Sequence, residues 1–112
     1  MSMKKVSCIG NKFFTIKTYG DSMLPTIHSG DILTINTTEA KYSVNDIVAY
    51  YSKESDGIKL IAHRITHVFG NKIVITKGDN NTIADKPIRI NRIIGKVIEI
   101  RTVLHKDEKI EN

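Results

Sequence analysis

Hydrophobic and polar positions along this chain change places every residue or two, in short runs broken by turn-forming residues. From Lys12 to Tyr19, Phe14, Ile16 and Thr18 fall on one face and Phe13, Thr15 and Lys17 on the other. That period of two is the signature of a strand. Gly20 to Gly30 interrupts it, and Pro25 forbids a central strand there because it cannot donate to a ladder. Asp31 to Asn36 predicts a second strand, followed by a polar loop from Thr37 to Ser43. Ile47 to Tyr51 is an apolar run of strand length, Asp56-Gly57 a turn, and Ile58 to Phe69 a long alternating strand. Gly70-Asn71 then turns the chain into Lys72 to Lys77, and Gly78 to Pro87 reads as a polar loop. Ile93 to Val103 makes the last strand, and a charged tail, 104–112, is expected to fray. No window carries a helical period, and no repeat or linker occurs.

Composition agrees with strands. There are 26 Ile plus Val against 8 Leu plus Ala, and branched side chains suit a pleated surface better than a helix. The expected fold is all-β, a small barrel or coiled antiparallel sheet. A length of 112 residues suits one domain, 1–112, with a core over about 12–103. The single cysteine, Cys8, cannot form an internal disulfide. The longest stretch free of Asp, Glu, Lys and Arg is the nine residues Ser22 to Gly30, far short of a membrane-spanning helix. Met1 to Asn11 lacks the apolar core of a secretory signal. The chain is therefore expected to be soluble and cytoplasmic. Its net charge of +5 is scattered, without a basic block or interleaved aromatics, so no nucleic-acid partner is expected.

Candidate chemistry gathers in a few segments. Gly20-Asp21-Ser22-Met23-Leu24-Pro25-Thr26 sets a serine at a bend where its hydroxyl can be exposed, although a plain surface turn would look the same. A serine hydroxyl needs a base to take its proton. His28, His63, His67, His105, Lys59 and Lys77 are the candidates, and His63 and His67 share a parity on the long strand. Thr76-Lys77-Gly78-Asp79-Asn80-Asn81, with Asp85 six residues past Asp79, is by itself a polar turn. It lacks the spaced oxygen ligands of a calcium loop, and no Cys/His pair has zinc spacing. No metal and no cofactor is expected.

Taken together and in order, these segments resemble type I signal peptidases. The first, with Gly30-Asp31, looks like their nucleophile box, and Ile61-Ala62-His63-Arg64-Ile65 like their general-base strand. Thr76 through Asp85 looks like their acidic box, and Ile94-Gly95-Lys96-Val97 like their closing strand. The resemblance spans roughly Phe14 to Ile100. Histidine at 63, where the common bacterial enzymes carry lysine, resembles the Ser/His subgroup of endoplasmic-reticulum, archaeal and sporulation enzymes. The resemblance implies the signal peptidase/LexA-like fold. It also implies Ser22 as nucleophile, His63 as general base and Asp85 as the third, acidic member. Asp79, the other acid of that box, would hold the loop in shape. The backbone N–H of Ser22 is the natural oxyanion donor, and Gly20 stands where some relatives add a second, hydroxyl donor. Met23 and Ile61 are expected to contact substrate; Met23 and Leu24 each fit either a pocket lining or the core, and the core is favoured for Leu24. Asn45-Asp46-Ile47-Val48 departs from the family's Gly-Asp-Ile-Val, a change that a turn with positive φ accommodates in asparagine.

The function implied is a serine endopeptidase cleaving a leader or signal-like peptide, its partner being the precursor polypeptide. Residues 1–21, before the serine, hold no stretch like the membrane segment that usually precedes the family's serine box, so a core without its anchor is expected. The expected site of action is thus the cytoplasm, or alternatively a membrane reached through a partner or peripheral contact. A catalytically idle binding or dimerisation module on the same fold is the alternative function. A repressor of that kind needs a DNA-reading helical domain, which the first 20 residues cannot hold.

Overall fold

In the computed structural model the backbone of residues 2–9 and all of residues 12–38 and 41–103 are described. The alternating segments form eight strands: β1 (Ser2–Ile9), β2 (Phe13–Tyr19), β3 (Ile32–Asn36), β4 (Ile47–Glu54), β5 (Gly57–Phe69), β6 (Ile73–Lys77), β7 (Ile88–Arg89) and β8 (Ile93–Arg101). One 3-10 turn, Ile90–Arg92, precedes β8. Every pairing is antiparallel, in the order β1-β2-β3-β8-β4-β5-β6-β7. Ser2 on β1 also pairs with Ile61 on β5, so the sheet curls back on itself. The expected all-β, coiled antiparallel sheet is what the chain forms. Closure of this kind hides strand edges that would otherwise be open to foreign pairing.

The sheet starts earlier than alternation indicates, because β1 precedes the strand that begins near Lys12. A register shift between Lys5 and Ser7 breaks the period of two in β1, which is why the pattern did not mark it. The two residues of β7 are too few to show a period at all. The expected frayed tail, 104–112, and with it His105, lies outside the described residues, as does the side chain of Cys8.

β4 is buried on both faces and so separates two apolar clusters. Ile47 and Ala49 join Ile16, Leu33, Ile35 and Ala62 in one of them. Met23 and Ile27, from the β2–β3 connection, plug that same cluster, each with no exposed surface. Val48 and Tyr50 point the other way, toward Ile61, Ile65 and Val74. A fully buried aliphatic side chain contributes roughly 1.5–3 kcal/mol, so these clusters supply the driving force that no disulfide provides. Asn45 has φ +84°, as the departure from glycine there requires, and its N–H donates to the Ile65 carbonyl at 2.8 Å.

Gly95 on β8 lies where the sheet leaves no room for a side chain. A Cβ there would collide with the Asn36 carbonyl oxygen and sit 2.7 Å from Ile35 Cγ2. Gly95→Ala is expected to lower stability by about 1–3 kcal/mol, the cost of forcing a methyl into a packed region. Urea unfolding measures it, and an unchanged midpoint would show that β3 and β8 can part freely.

Candidate active site

Three separate pieces of the fold bring the chemistry together. Ser22 sits half-buried in the connection between β2 and β3, a run of tight turns. Leu24 N–H donates to Asp21 O at 3.1 Å and Ile27 N–H to Met23 O at 2.9 Å. The Leu24–Pro25 peptide is cis. Because Met23 and Ile27 are locked in the core, the turn between them has little freedom. His63 comes from the middle of β5, paired with Val48 of β4. Asp85 lies on the irregular segment after β6, where its N–H donates to the Thr76 carbonyl at 2.8 Å.

Ser22 Oγ is 3.1 Å from His63 Nε2, and His63 Nδ1 is 2.6 Å from Asp85 Oδ2. Burial pushes the Asp85 carboxyl up. Hydrogen bonds from His63 and Thr76, the His63 charge and the Tyr50 hydroxyl outweigh burial and hold it below the usual carboxylate range. An ionised Asp85 only accepts, so the proton between the pair belongs to His63 Nδ1. That tautomer leaves the Nε2 lone pair facing Ser22 and able to accept the hydroxyl proton. His63 is buried, with 7% of its side chain exposed against 28% for Asp85. Charge interactions there are screened less than at the open surface.

Adjacent positions on a strand point to opposite faces, so Arg64 turns away from His63 and meets Asp79. Arg64 Nε donates to Asp79 Oδ1 at 2.9 Å and Nη2 to Oδ2 at 2.8 Å, while Thr26 Oγ1 donates to Oδ2 at 2.5 Å. The Arg64 hydrogen bonds depress the Asp79 carboxyl, against the opposing effect of burial and with help from Thr26. Asp79 N–H also reaches Met23 Sδ at 3.3 Å. Asn80 N–H donates to the Ser22 carbonyl at 2.8 Å, and Asn80 Nδ2 to the Asp21 carbonyl at 3.1 Å. A Cβ on Gly78 would come within 2.6 Å of the Ser22 carbonyl oxygen. Glycine is required there for the two loops to touch.

Of the bases considered for Ser22, the described residues bring only His63 to it. His28 is exposed and 3.9 Å from Asp31. Lys59 pairs with Asp56 at 3.3 Å, and Lys77 Nζ donates to the carbonyls of Gly78 and Asn81. His67 does not share the face of His63. A register shift between Ile65 and His67 adds a residue on β5, so His67 turns to the surface and stacks on Phe69.

The expectation that Met23 contacts substrate is corrected. Its side chain is wholly buried in the apolar cluster, while Leu24 is the half-exposed one. Ile61 lines a groove of about 420 Å³ that also takes in Tyr50, Tyr51, His63, Asp85 and Lys86. Tyr50 and Thr76 hydrogen-bond to Asp85, and the sequence alone assigned neither of them a task of its own. The only signal was a hydroxyl at a buried parity, Tyr50 beside Val48 and Thr76 beside Val74. Among the described residues, no group of three or more His, Cys, Asp or Glu lies close enough to hold a metal ion.

A single, nearly all-β antiparallel sheet is consistent with the fold of the S24- and LexA-like peptidases. The chain belongs to the peptidase S24-like family, whose match covers residues 1–98. It is similar to the signal peptidase complex catalytic subunit SEC11 of Candida tropicalis, 37% identical over 90 residues, 76% of this chain and 52% of that one. The SEC11 subunit of Candida albicans is 36% identical over 90 residues, with the same shares of each chain. That of Lodderomyces elongisporus is 38% identical over 68 residues, 57% of this chain and 39% of the relative. The chain thus spans about half the length of the first relatives it matches. These findings bear out the resemblance to the type I signal peptidase family, in its endoplasmic-reticulum-type subgroup.

The expected cytoplasmic location is overturned, because these relatives are catalytic subunits of a signal peptidase complex. That expectation rested on the lack of a long apolar stretch. Among the described residues no helix is long and apolar enough to cross a membrane. This constrains the segment itself and not the compartment in which a subunit works.

The Arg64–Asp79 pair makes stability depend on pH in a definite direction. The folded carboxyl is depressed below its unfolded value of about 3.9, so its contribution is present above that pH. It is lost as pH falls through the folded value. Asp79→Asn is expected to cost about 2 kcal/mol at neutral pH, between the limits for exposed and buried pairs. Urea midpoints should converge on those of the parent protein in strong acid. Equal penalties at neutral and acid pH would show that the ion pair is not the source.

Proposed function

We propose that this chain is a serine endopeptidase of signal-peptidase type that cleaves a leader or signal-like peptide by acyl transfer. Ser22 is the nucleophile, His63 the general base and acid, and Asp85 the group that fixes the imidazole. The supporting observation is the continuous line from Ser22 Oγ through both ring nitrogens of His63 to the Asp85 carboxylate. An idle module would have no physical use for that line.

In the first half-reaction Ser22 Oγ bonds to the scissile carbonyl carbon while its proton passes to His63 Nε2. Asp85 stabilises the imidazolium that forms, without itself taking the proton. The Ser22 N–H, at the bend, donates to the developing oxyanion. When the tetrahedral intermediate collapses, the C–N bond breaks and His63 gives its proton to the leaving amine. Water then enters, its proton goes to His63, and its oxygen bonds to the acyl carbon. Collapse of the second intermediate releases the new carboxyl end and returns the proton to Ser22.

The precursor lies extended in the groove, with Ile61 as one apolar wall and main-chain pairing to the strands beside it. Asp79 acts by holding the Ser22 turn, through Arg64 and Thr26. Since the relatives are complex subunits by name, a partner that presents the precursor is part of this reading.

A fluorogenic peptide with small residues before the scissile bond, in the manner of a signal cleavage site, tests the assignment. Ser22→Ala and His63→Ala should each lower kcat by about 10³-fold or more, with circular dichroism unchanged. Asp85→Asn should lose about 10²–10⁴-fold, because the wrong tautomer becomes available. Full activity in Ser22→Ala or His63→Ala would sink the proposal. A serine-directed phosphonylating reagent should modify Ser22 alone, whereas an idle module would remain unlabelled.

A further inference from the structure

Asp85 is borne by an irregular segment, yet its carboxylate sits where an accurate position matters most. Three strands converge on its Oδ2. His63 Nδ1 from β5 lies at 2.6 Å, Thr76 Oγ1 from β6 at 2.8 Å and Tyr50 OH from β4 at 3.1 Å. Thr76 grips Asp85 twice, since its carbonyl also accepts the Asp85 N–H at 2.8 Å. Tyr50 OH and Thr76 Oγ1 are themselves 2.9 Å apart.

We propose that Thr76 and Tyr50 are positioning residues that hold the Asp85 carboxylate against His63 through this triangle of two hydroxyls and one oxygen. The proposal rests on the reading of Ser22, His63 and Asp85 given above.

A proton inventory supports it. The triangle has three contacts but only two hydroxyl protons. Both can point at Oδ2, or one hydroxyl can donate to the other, which then donates to Oδ2. In every arrangement that gives each proton a partner in the triangle, Oδ2 receives at least one, besides the His63 proton. Burial pushes the Tyr50 phenol well above its ordinary value, so it stays a neutral donor throughout the working pH range. Thr76 has no exposed surface and Tyr50 only 4%, so water does not compete for their protons. A purely apolar arrangement beneath the groove would pack without these desolvated hydroxyls. Their placement is economical if the carboxylate must keep one orientation.

The titratable and charged groups around His63 and Asp85 are Tyr50, Lys86 beside Asp85, and Lys53 and Glu54 on the groove wall. Arg64 and Asp79 neutralise each other. Removing a donor leaves more of the Asp85 charge for the imidazolium, so the acid limb of kcat/KM should move to higher pH. Loosening Asp85 should also lower kcat.

With the peptide substrate above, Thr76→Val is expected to lower kcat about tenfold with little change in KM, the scale of one charge-assisted hydrogen bond. Its acid limb should move up in pH. Thr76→Ser should restore both, and Tyr50→Phe should give a smaller change of the same sign. Wild-type kcat and an unmoved acid limb in Thr76→Val, with only a lower melting temperature, would overturn the inference.

Proton NMR of the full chain without substrate separates this inference from the proposed function. A far-downfield His63 Nδ1 proton is expected in the parent and in Thr76→Ser, and displaced or lost in Thr76→Val. Its absence from the parent, or its persistence unchanged in Thr76→Val, overturns the inference. If the signal behaves as expected and no Ser22-dependent cleavage occurs, the positioning role stands and the peptidase reading falls.

Discussion

The hydrogen bond from Asn80 N–H to the Ser22 carbonyl joins two connections that the sheet alone would leave independent. Ser22 and His63 are 41 residues apart and lie on a turn and a strand that share no ladder. The loop after β6 closes the distance between them. Gly78 lets its backbone come close, Asn80 holds the turn at two carbonyls, and Asp79 fastens Thr26 from one side and Arg64 from the other. Arg64 immediately follows His63, so the residue that anchors the loop rides on the strand that carries the imidazole. Any shift of β5 moves both together. The serine–histidine distance is thereby made insensitive to small motions of the sheet.

The two acids of this loop do different work because of what surrounds them. Asp79 is saturated by a guanidinium and a hydroxyl, and nothing is left of it for a reaction. Among the described residues, Asp85 is paired with no lysine or arginine, only with His63. The hydrogen bond from His63, joined by those of the Thr76 and Tyr50 hydroxyls, keeps it ionised without a permanent positive charge, which leaves its field available to His63. An arginine placed at Thr76 would hold the carboxylate equally firmly and would cancel that field. The choice of hydroxyl donors at one acid and guanidinium at the other is therefore chemically consistent with one reacting and one structural carboxylate.

Much of this arrangement can be read in the sequence, and the losses have identifiable causes. Alternation with turn residues marks β2 to β6 and β8 near their observed bounds, since each is long enough to show its period. Asn45 was legible as a residue at positive φ. Residue chemistry alone left six bases open for Ser22, and only the order of the family-like boxes singled out His63. Parity failed at His67, because a bulge is a property of two paired strands and leaves no mark on one of them. Met23 misled for a related reason. A turn residue is expected at the surface, but this turn folds inward, and its apolar members complete the core that the strands begin. Tyr50 reads as an ordinary strand residue, and Thr76 only as the first residue of the acidic box, because the carboxylate that unites them comes from a segment without periodicity.

Strands and loops divide the labour of holding the site. His63 needs no special support, since a central strand paired on both sides fixes its backbone and its parity fixes its direction. Ser22 and Asp85 are both borne on irregular backbone, which has little rigidity of its own. Each is compensated by a different means. Ser22 is flanked by the core plug of Met23 and Ile27, so apolar burial stiffens its turn. Asp85 has no such plug and is gripped through polar contacts to three strands. Apolar packing tolerates small displacements, whereas a shared carboxylate oxygen tolerates few, because each donor loses strength steeply as its angle opens. The more directional constraint thus falls on Asp85, proposed to set the tautomer, and the softer one on Ser22, proposed to move toward a substrate carbonyl.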